Sequence, residues 1–164
     1  MITTQKSVFT KDIAKKQMNV VREFAAPLKE VWAAWTEREL LDQWWAPKPW
    51  KAETKTMEFK EGGRWVYCMA GPNGEKHWAK SDYKKIVALN YFTASDSFCD
   101  ENGNTNSALP QMDWKLEFSE SEVGTKVQVE ITFKSEKDMQ GIIDTGFEEG
   151  FSAAHGNLDE LLAN

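Results

Sequence analysis

The sequence predicts an α+β domain in which an antiparallel sheet carries its helices on one side. Three observations lead there. Period-two hydrophobic alternation runs from Trp50 to Phe133, punctuated by turn signals. Two short helical patterns precede it, and one long amphipathic pattern closes the chain. Strands gathered in one run and helices at its ends give a layered α+β arrangement, not alternating βαβ units.

Residues 1–16 follow neither period and read as a loose or short-stranded N-terminal arm, leaving 17–164 as a single domain. "KQMNVVREFAA" is the first clear strand, with Met18, Val20, Arg22 and Phe24 on one face. Pro27 opens a helix at the position proline tolerates best, and Leu28, Val31, Trp32 and Trp35 form its apolar stripe. In "TERE", Thr36 caps a second helix while Glu39 reaches back. That helix carries Leu40, Leu41, Trp44 and Trp45 until Pro47 and Pro49 stop it.

Turns follow at "EGG" (61–63), "GPNG" (71–74) and "SESEVG" (119–124). The clearest alternation lies in "QMDWKLEF", where Met112, Trp114, Leu116 and Phe118 oppose polar neighbours, and in "TKVQVEITF". Such regularity belongs to an antiparallel sheet with one wet face. The polar connection 99–110 is long for a hairpin and reads as a functional flap or a floppy loop. The last helix is expected over about 136–162, capped by Ser135. Its stripe includes Met139, Ile142, Ile143, Phe147, Phe151, Ala154, Leu158, Leu161 and Leu162.

Composition narrows the function. The chain has 164 residues and a formal net charge of −6, with Lys and Arg scattered. No basic run exists for nucleic acid or an anionic membrane surface. Nothing approaches the roughly 20 apolar residues of a membrane span. The start lacks a secretory signal, and Cys68 and Cys99 form no C-x-x-C, so reduced thiols in a cytoplasmic protein are expected, with a disulfide between them as the other reading. His77 and His155 have no ligand-spaced neighbours and no catalytic motif occurs, so neither a metal nor a cofactor is expected. His155 reads as a surface or packing residue. His77, on one face with Ala79, Ser81 and Tyr83, reads as a partly exposed structural histidine ahead of a general base.

Eight Trp and nine Phe are the unusual feature. Trp44 fits a core anchor, whereas Trp45 and Trp50 fit the rim of a pocket. Gly146 and Gly150 fall one turn apart on the apolar side of the last helix, where each costs about 1 kcal/mol relative to Ala. Either the helix approaches a strand closely there, or the two leave notches facing a cavity. In the second case Trp65, Tyr67, Met69, Tyr83 and Trp114 point into it, with Phe147 and Phe151 opposite. Arg22, a charge on an inward face, needs solvent or a carboxylate such as Glu148 or Glu149; a structural ion pair and an anchor for an anionic ligand group are the two readings.

Three segments, "REFAAPLKEVWAAWTERELLDQWWAPKPW", "EGGRWVYCMAGPNGEKH" and "GFEEGFSAAHGNLDELL", resemble the bacterial stand-alone domains similar to the C-terminal domain of the activator of heat-shock protein 90 ATPase. These are part of the START and birch-pollen-allergen superfamily, also called SRPBCC or polyketide-cyclase-like. The resemblance spans about residues 17–163. It implies a helix-grip fold: a curved seven-stranded antiparallel sheet around a long C-terminal helix, two short helices after the first strand, and a cavity between. It also implies that the segment after the second helix closes one end of that cavity and that Trp65 and Met69 belong to its wall. Phe151 stands where relatives often carry Trp, so the pocket shape departs from theirs. The family supplies no universal catalytic residues, and its chaperone activators carry a separate N-terminal domain for which 164 residues leave no room.

Three functions follow as expectations. The first is a cytoplasmic binder of a hydrophobic or amphipathic small molecule, lipid-like or polyketide-like. The second is a cyclase, aromatase or hydrolase using His77, Tyr83 or Arg22 in the same cavity. The third is an interaction module that stimulates a chaperone ATPase or responds to stress. A monomer or weak dimer suits all three.

Overall fold

A computed structural model describes residues 6–163; the first five residues of the expected N-terminal arm lie outside the described residues. The second half of that arm is an edge strand, β1 (Val8–Asp12), paired antiparallel with β2 (Gln17–Phe24). α1 (Leu28–Thr36) and α2 (Arg38–Trp44) then carry the chain across the sheet to its far edge. There β3 (Lys51–Met57), β4 (Arg64–Ala70), β5 (Lys76–Val87), β6 (Tyr91–Phe98), β7 (Gln111–Glu120) and β8 (Thr125–Phe133) follow as a meander. The sheet order is β1-β2-β8-β7-β6-β5-β4-β3, every pair antiparallel. β1 raises the strand count from seven to eight.

The alternation read in β2, β7 and β8 sets the inward face. Met18, Val20, Phe24, Met112, Trp114, Leu116, Phe118, Val127, Val129, Ile131 and Phe133 are all buried in one core. Trp44 is fully buried and its indole N–H donates to the Ala34 carbonyl, which makes it the anchor of the α1–α2 corner. The break between those helices differs from the expected capping box. Thr36 ends α1 and its hydroxyl bonds the Trp32 carbonyl, while Glu37, in extended backbone, is the uncapped start of α2. A hydroxyl already engaged one turn back cannot serve the next helix.

The terminal helix is also two elements. α3 (Glu136–Asp144) starts at Ser135, whose side chain accepts the Asp138 N–H, and α4 (Phe147–Leu162) starts at Gly146. Gly146 has φ +83°, in the left-handed region where a Cβ is penalised. The Thr145 hydroxyl and amide both turn back onto the Ile142 carbonyl and the Gly146 amide onto Ile143, closing α3. Gly146 thus ends one helix and starts the next, where one continuous helix was expected.

The 99–110 connection is no flap over the inward face. Its Gly103 carbonyl accepts from the Lys80 ammonium at 2.9 Å and its Glu101 carbonyl from Lys55 at 2.6 Å. Lys80 alternates with the inward-facing Ala79 and Ser81, so these bonds pin the loop to the convex side of the sheet. There it helps cover Val66, whose methyl lies 3.6 Å from the place a Gly103 Cβ would occupy.

Candidate functional site

Short side chains on both layers create the site. Ala79 and Ser81 on β5 and Ala94 on β6 leave the sheet low, and Gly146 and Gly150 leave the helical layer open above it. Protein interiors pack densely enough that even one missing methylene is felt. Here several are missing opposite one another, and a cavity of about 260 Å³ remains.

Its walls are aromatic and thioether groups: Trp45, Tyr67, Met69, Phe98, Met112 and Trp114 from the corner and the sheet, Ile142, Phe147 and Phe151 from α3 and α4, with Pro47 beside Gly150. The rings brace one another edge to face or stacked. Phe151 lies 5.7 Å from Trp114, 6.0 Å from Trp45 and 5.2 Å from Phe147. Next to this cavity is a hollow of about 20 Å³, room for a single water. Trp35, Leu41, Trp65, Ser81, Tyr83 and Phe92 line it, and Trp45, Asp96 and Trp114 border both spaces.

Asp96 is what sequence reasoning missed. It follows Phe92 and Ala94 on the inward face of β6, and its register neighbours are Ser81 on β5 and Met112 on β7. Burial pushes its pKa up to about 7; the Ser81 hydroxyl pulls the other way, and the like charges of Asp82 and Asp113 add to the rise. Its Oδ1 is sealed from solvent and has no hydrogen-bond partner. The indole N–H of Trp114 is unpartnered in the same way, whereas that of Trp45 is directed at the Tyr67 hydroxyl. Burial, with Asp96 second, raises the Tyr67 and Tyr83 phenols far above their ordinary range. Both are neutral hydroxyls at any physiological pH. The available signal was a carboxylate in the inward register of an alternating strand, the same signal that singled out Arg22.

The expected site residues divide three ways. Trp45, Tyr67, Met69, Trp114, Phe147 and Phe151 meet around the large cavity, while Trp65 and Tyr83 border the small hollow. Trp50 and Arg22 border neither. Beyond the Pro47–Pro49 corner Trp50 turns outward, its ring 5.4 Å from that of His77 near the start of β5. Arg22 is buried but committed. It pairs through both terminal nitrogens with the Asp159 carboxylate, donates to the Glu23 carbonyl and lies over the Phe24 ring. Its partner is Asp159, about three turns beyond the expected Glu148, which instead pairs with Lys11. Of the three groups considered for proton transfer, then, only Tyr83 borders these spaces.

His155 is fully buried between Phe24, Trp35 and Phe151. Its Nδ1 shares a 2.5 Å hydrogen bond with the Ser7 hydroxyl, and burial, then Arg22, lowers its pKa to about 3. It is a neutral packing group behind Phe151. Cys68 and Cys99 are free thiols. Among the described residues no cluster of three or more His, Cys, Asp or Glu could hold a metal, and no helix is long and apolar enough to cross a membrane.

Comparison with known proteins places this geometry among relatives. Residues 25–163 match the family described as Activator of Hsp90 ATPase homolog 1-like protein. A protein from Arthrobacter aurescens, solved by NMR, is 33% identical, with 95% of this chain and 91% of that one aligned and a TM-score of 0.88. A Mycobacterium smegmatis protein is 29% identical over 96% of both chains, also with a TM-score of 0.88. One from Staphylococcus epidermidis is 28% identical over 94% of this chain and 93% of that one, with a TM-score of 0.83. No functionally curated protein matches the sequence.

Proposed function

We propose that this chain, which belongs to the Activator of Hsp90 ATPase homolog 1-like family, binds a hydrophobic or amphipathic small molecule between its sheet and its C-terminal helices. The carrying observation is the 260 Å³ cavity, walled by rings and methionines, between the sheet and the C-terminal helices. A void of that size sacrifices dispersion contacts on every wall, so a molecule that restores them binds favourably. Ligand sites combine such apolar walls with a few polar groups, here Asp96 and the Tyr67 hydroxyl. An engineered cavity of about 150 Å³ takes up benzene, so this one suits two fused rings. A reducing cytoplasm suits the two free thiols.

The test is a titration of ¹⁵N-labelled protein with 2-methylnaphthalene, an uncharged two-ring probe. Saturable shifts of the Trp45 and Trp114 indole resonances and of the Gly150 amide are expected. Shifts that stay linear with probe concentration, or that spread over the exposed apolar residues Val8, Ile13 and Leu109, would count against the reading.

A further inference from the structure

We infer that Asp96, beside the Trp114 indole, forms a polar subsite that selects ligands with an uncharged hydroxyl-bearing head and rejects carboxylate-headed ones such as fatty acids. This rests on the cavity reading above and names the ligand class for it.

Three observations carry it. First, Asp96 borders both the cavity and the one-water hollow, so its carboxyl stands where the head of a bound molecule would arrive. Second, the site holds unspent hydrogen-bonding capacity: the Asp96 Oδ1 and the Trp114 indole N–H lack partners. A buried polar atom without a partner is costly, and a ligand that supplies one recovers that cost. A hydroxyl both donates and accepts, so it can serve the carboxyl and an indole together.

Third, among the described residues no cation at the cavity is free to receive an anionic head. Lys80 contributes to the cavity wall, but its ammonium is spent on the Gly103 carbonyl and lies 3.9 Å from Asp82 on the convex side. Arg22 is held by Asp159 and borders neither space. A carboxylate entering the cavity would therefore lose its hydration, meet no counter-charge and face Asp96. The recognised class is a compact, ring-rich alcohol or phenol.

Three probes with one ring system separate the possibilities: 2-methylnaphthalene, 2-naphthol and 2-naphthoate, titrated calorimetrically at pH 7.5 into the full chain. The expectation is that 2-naphthol binds about tenfold more tightly than 2-methylnaphthalene and at least tenfold more tightly than 2-naphthoate. In Asp96→Leu the advantage of 2-naphthol over 2-methylnaphthalene disappears while 2-methylnaphthalene still binds. In Asp96→Asn that advantage persists and the exclusion of 2-naphthoate weakens. Asp96→Asn also serves if the leucine variant fails to fold, since an unchanged exclusion of 2-naphthoate there refutes the role of Asp96. Wild-type protein that prefers 2-naphthoate, or treats all three alike, overturns the subsite and leaves the cavity reading standing. No binding of any of the three removes both.

Discussion

Filling the cavity from Gly150 should stabilise the protein and abolish binding together. Gly150 lies in the first turn of α4, its amide bonded to the Gly146 carbonyl at 3.0 Å. A Cβ added there meets only the Pro47 ring, at 3.8 Å, an ordinary van der Waals contact. Gly150→Ala therefore carries no steric cost and gains about 1 kcal/mol of helix propensity. Gly150→Leu adds three more carbons at the cavity wall. At about 0.8 kcal/mol per buried methylene, they contribute about 2 kcal/mol more if the cavity accepts them. For a chain of this size each kcal/mol moves the melting temperature by about 2–4 °C. Alanine should thus raise it by about 3 °C and leucine by about 6–12 °C.

The same leucine occupies the space that 2-methylnaphthalene needs, so its affinity should fall at least tenfold. Gly156→Ala is the control. Its Cβ meets nothing within 4 Å and Gly156 borders neither space, so it gains the same propensity with binding intact. Thermal unfolding followed by circular dichroism and a probe titration of the three variants settle the matter. If Gly150→Leu melts below wild type yet binds the probe unchanged, Gly150 does not border an open cavity and the reasoning fails.

Gly146→Ala should go the opposite way from Gly150→Ala, one turn distant, because φ +83° penalises a Cβ by about 1–2 kcal/mol; a lowered melting temperature checks it. Asp159→Ala strands the buried Arg22 guanidinium and should cost about 2–3 kcal/mol in urea unfolding, at or just below the low end of the range for broken buried pairs because Asp159 is itself a third exposed. Asp96→Asn should leave stability unchanged below about pH 4 and increase it progressively toward pH 7. The native carboxyl keeps its proton up to about pH 7, whereas the unfolded one loses it near 3.8, so wild-type stability declines between those values. At 1.36 kcal/mol per pK unit the gain levels off above pH 7 at no more than about 4 kcal/mol, read from urea midpoints across the pH series.

Period and turn chemistry made the sheet legible. Met112 to Phe118 and Val127 to Phe133 alternate without exception, and each buried residue among them is where that alternation puts it. Their partnership across the layers was not legible. Arg22 was recognisably an inward charge, but which carboxylate on α4 meets it depends on how far the helix slides along the sheet, and no local pattern encodes that offset. The division of the last helix was hidden for a related reason. A glycine on an apolar stripe fits a continuous helix or a left-handed break equally well, and the Thr145 hydroxyl that closes α3 is unremarkable in sequence. Trp45 and Trp50 showed the limit of composition, because two prolines between them send one ring into the cavity and the other out against His77. Asp96 shows the converse: its position in "YFTASDSF" announced an inward carboxyl, in a strand where the aromatic residues drew the eye instead.

The central claim is that the space between sheet and helices is a ligand site, and intermolecular nuclear Overhauser effects test it most directly. With 2-naphthol bound to ¹³C-labelled protein, contacts are predicted from its ring protons to the Met69 and Met112 methyls and to the Phe147 and Phe151 rings. These groups come from β4, β7 and α4, and they converge only around the cavity. Contacts confined to surface residues such as Val8, Leu89 and Leu109, or none at saturating probe, would contradict the account.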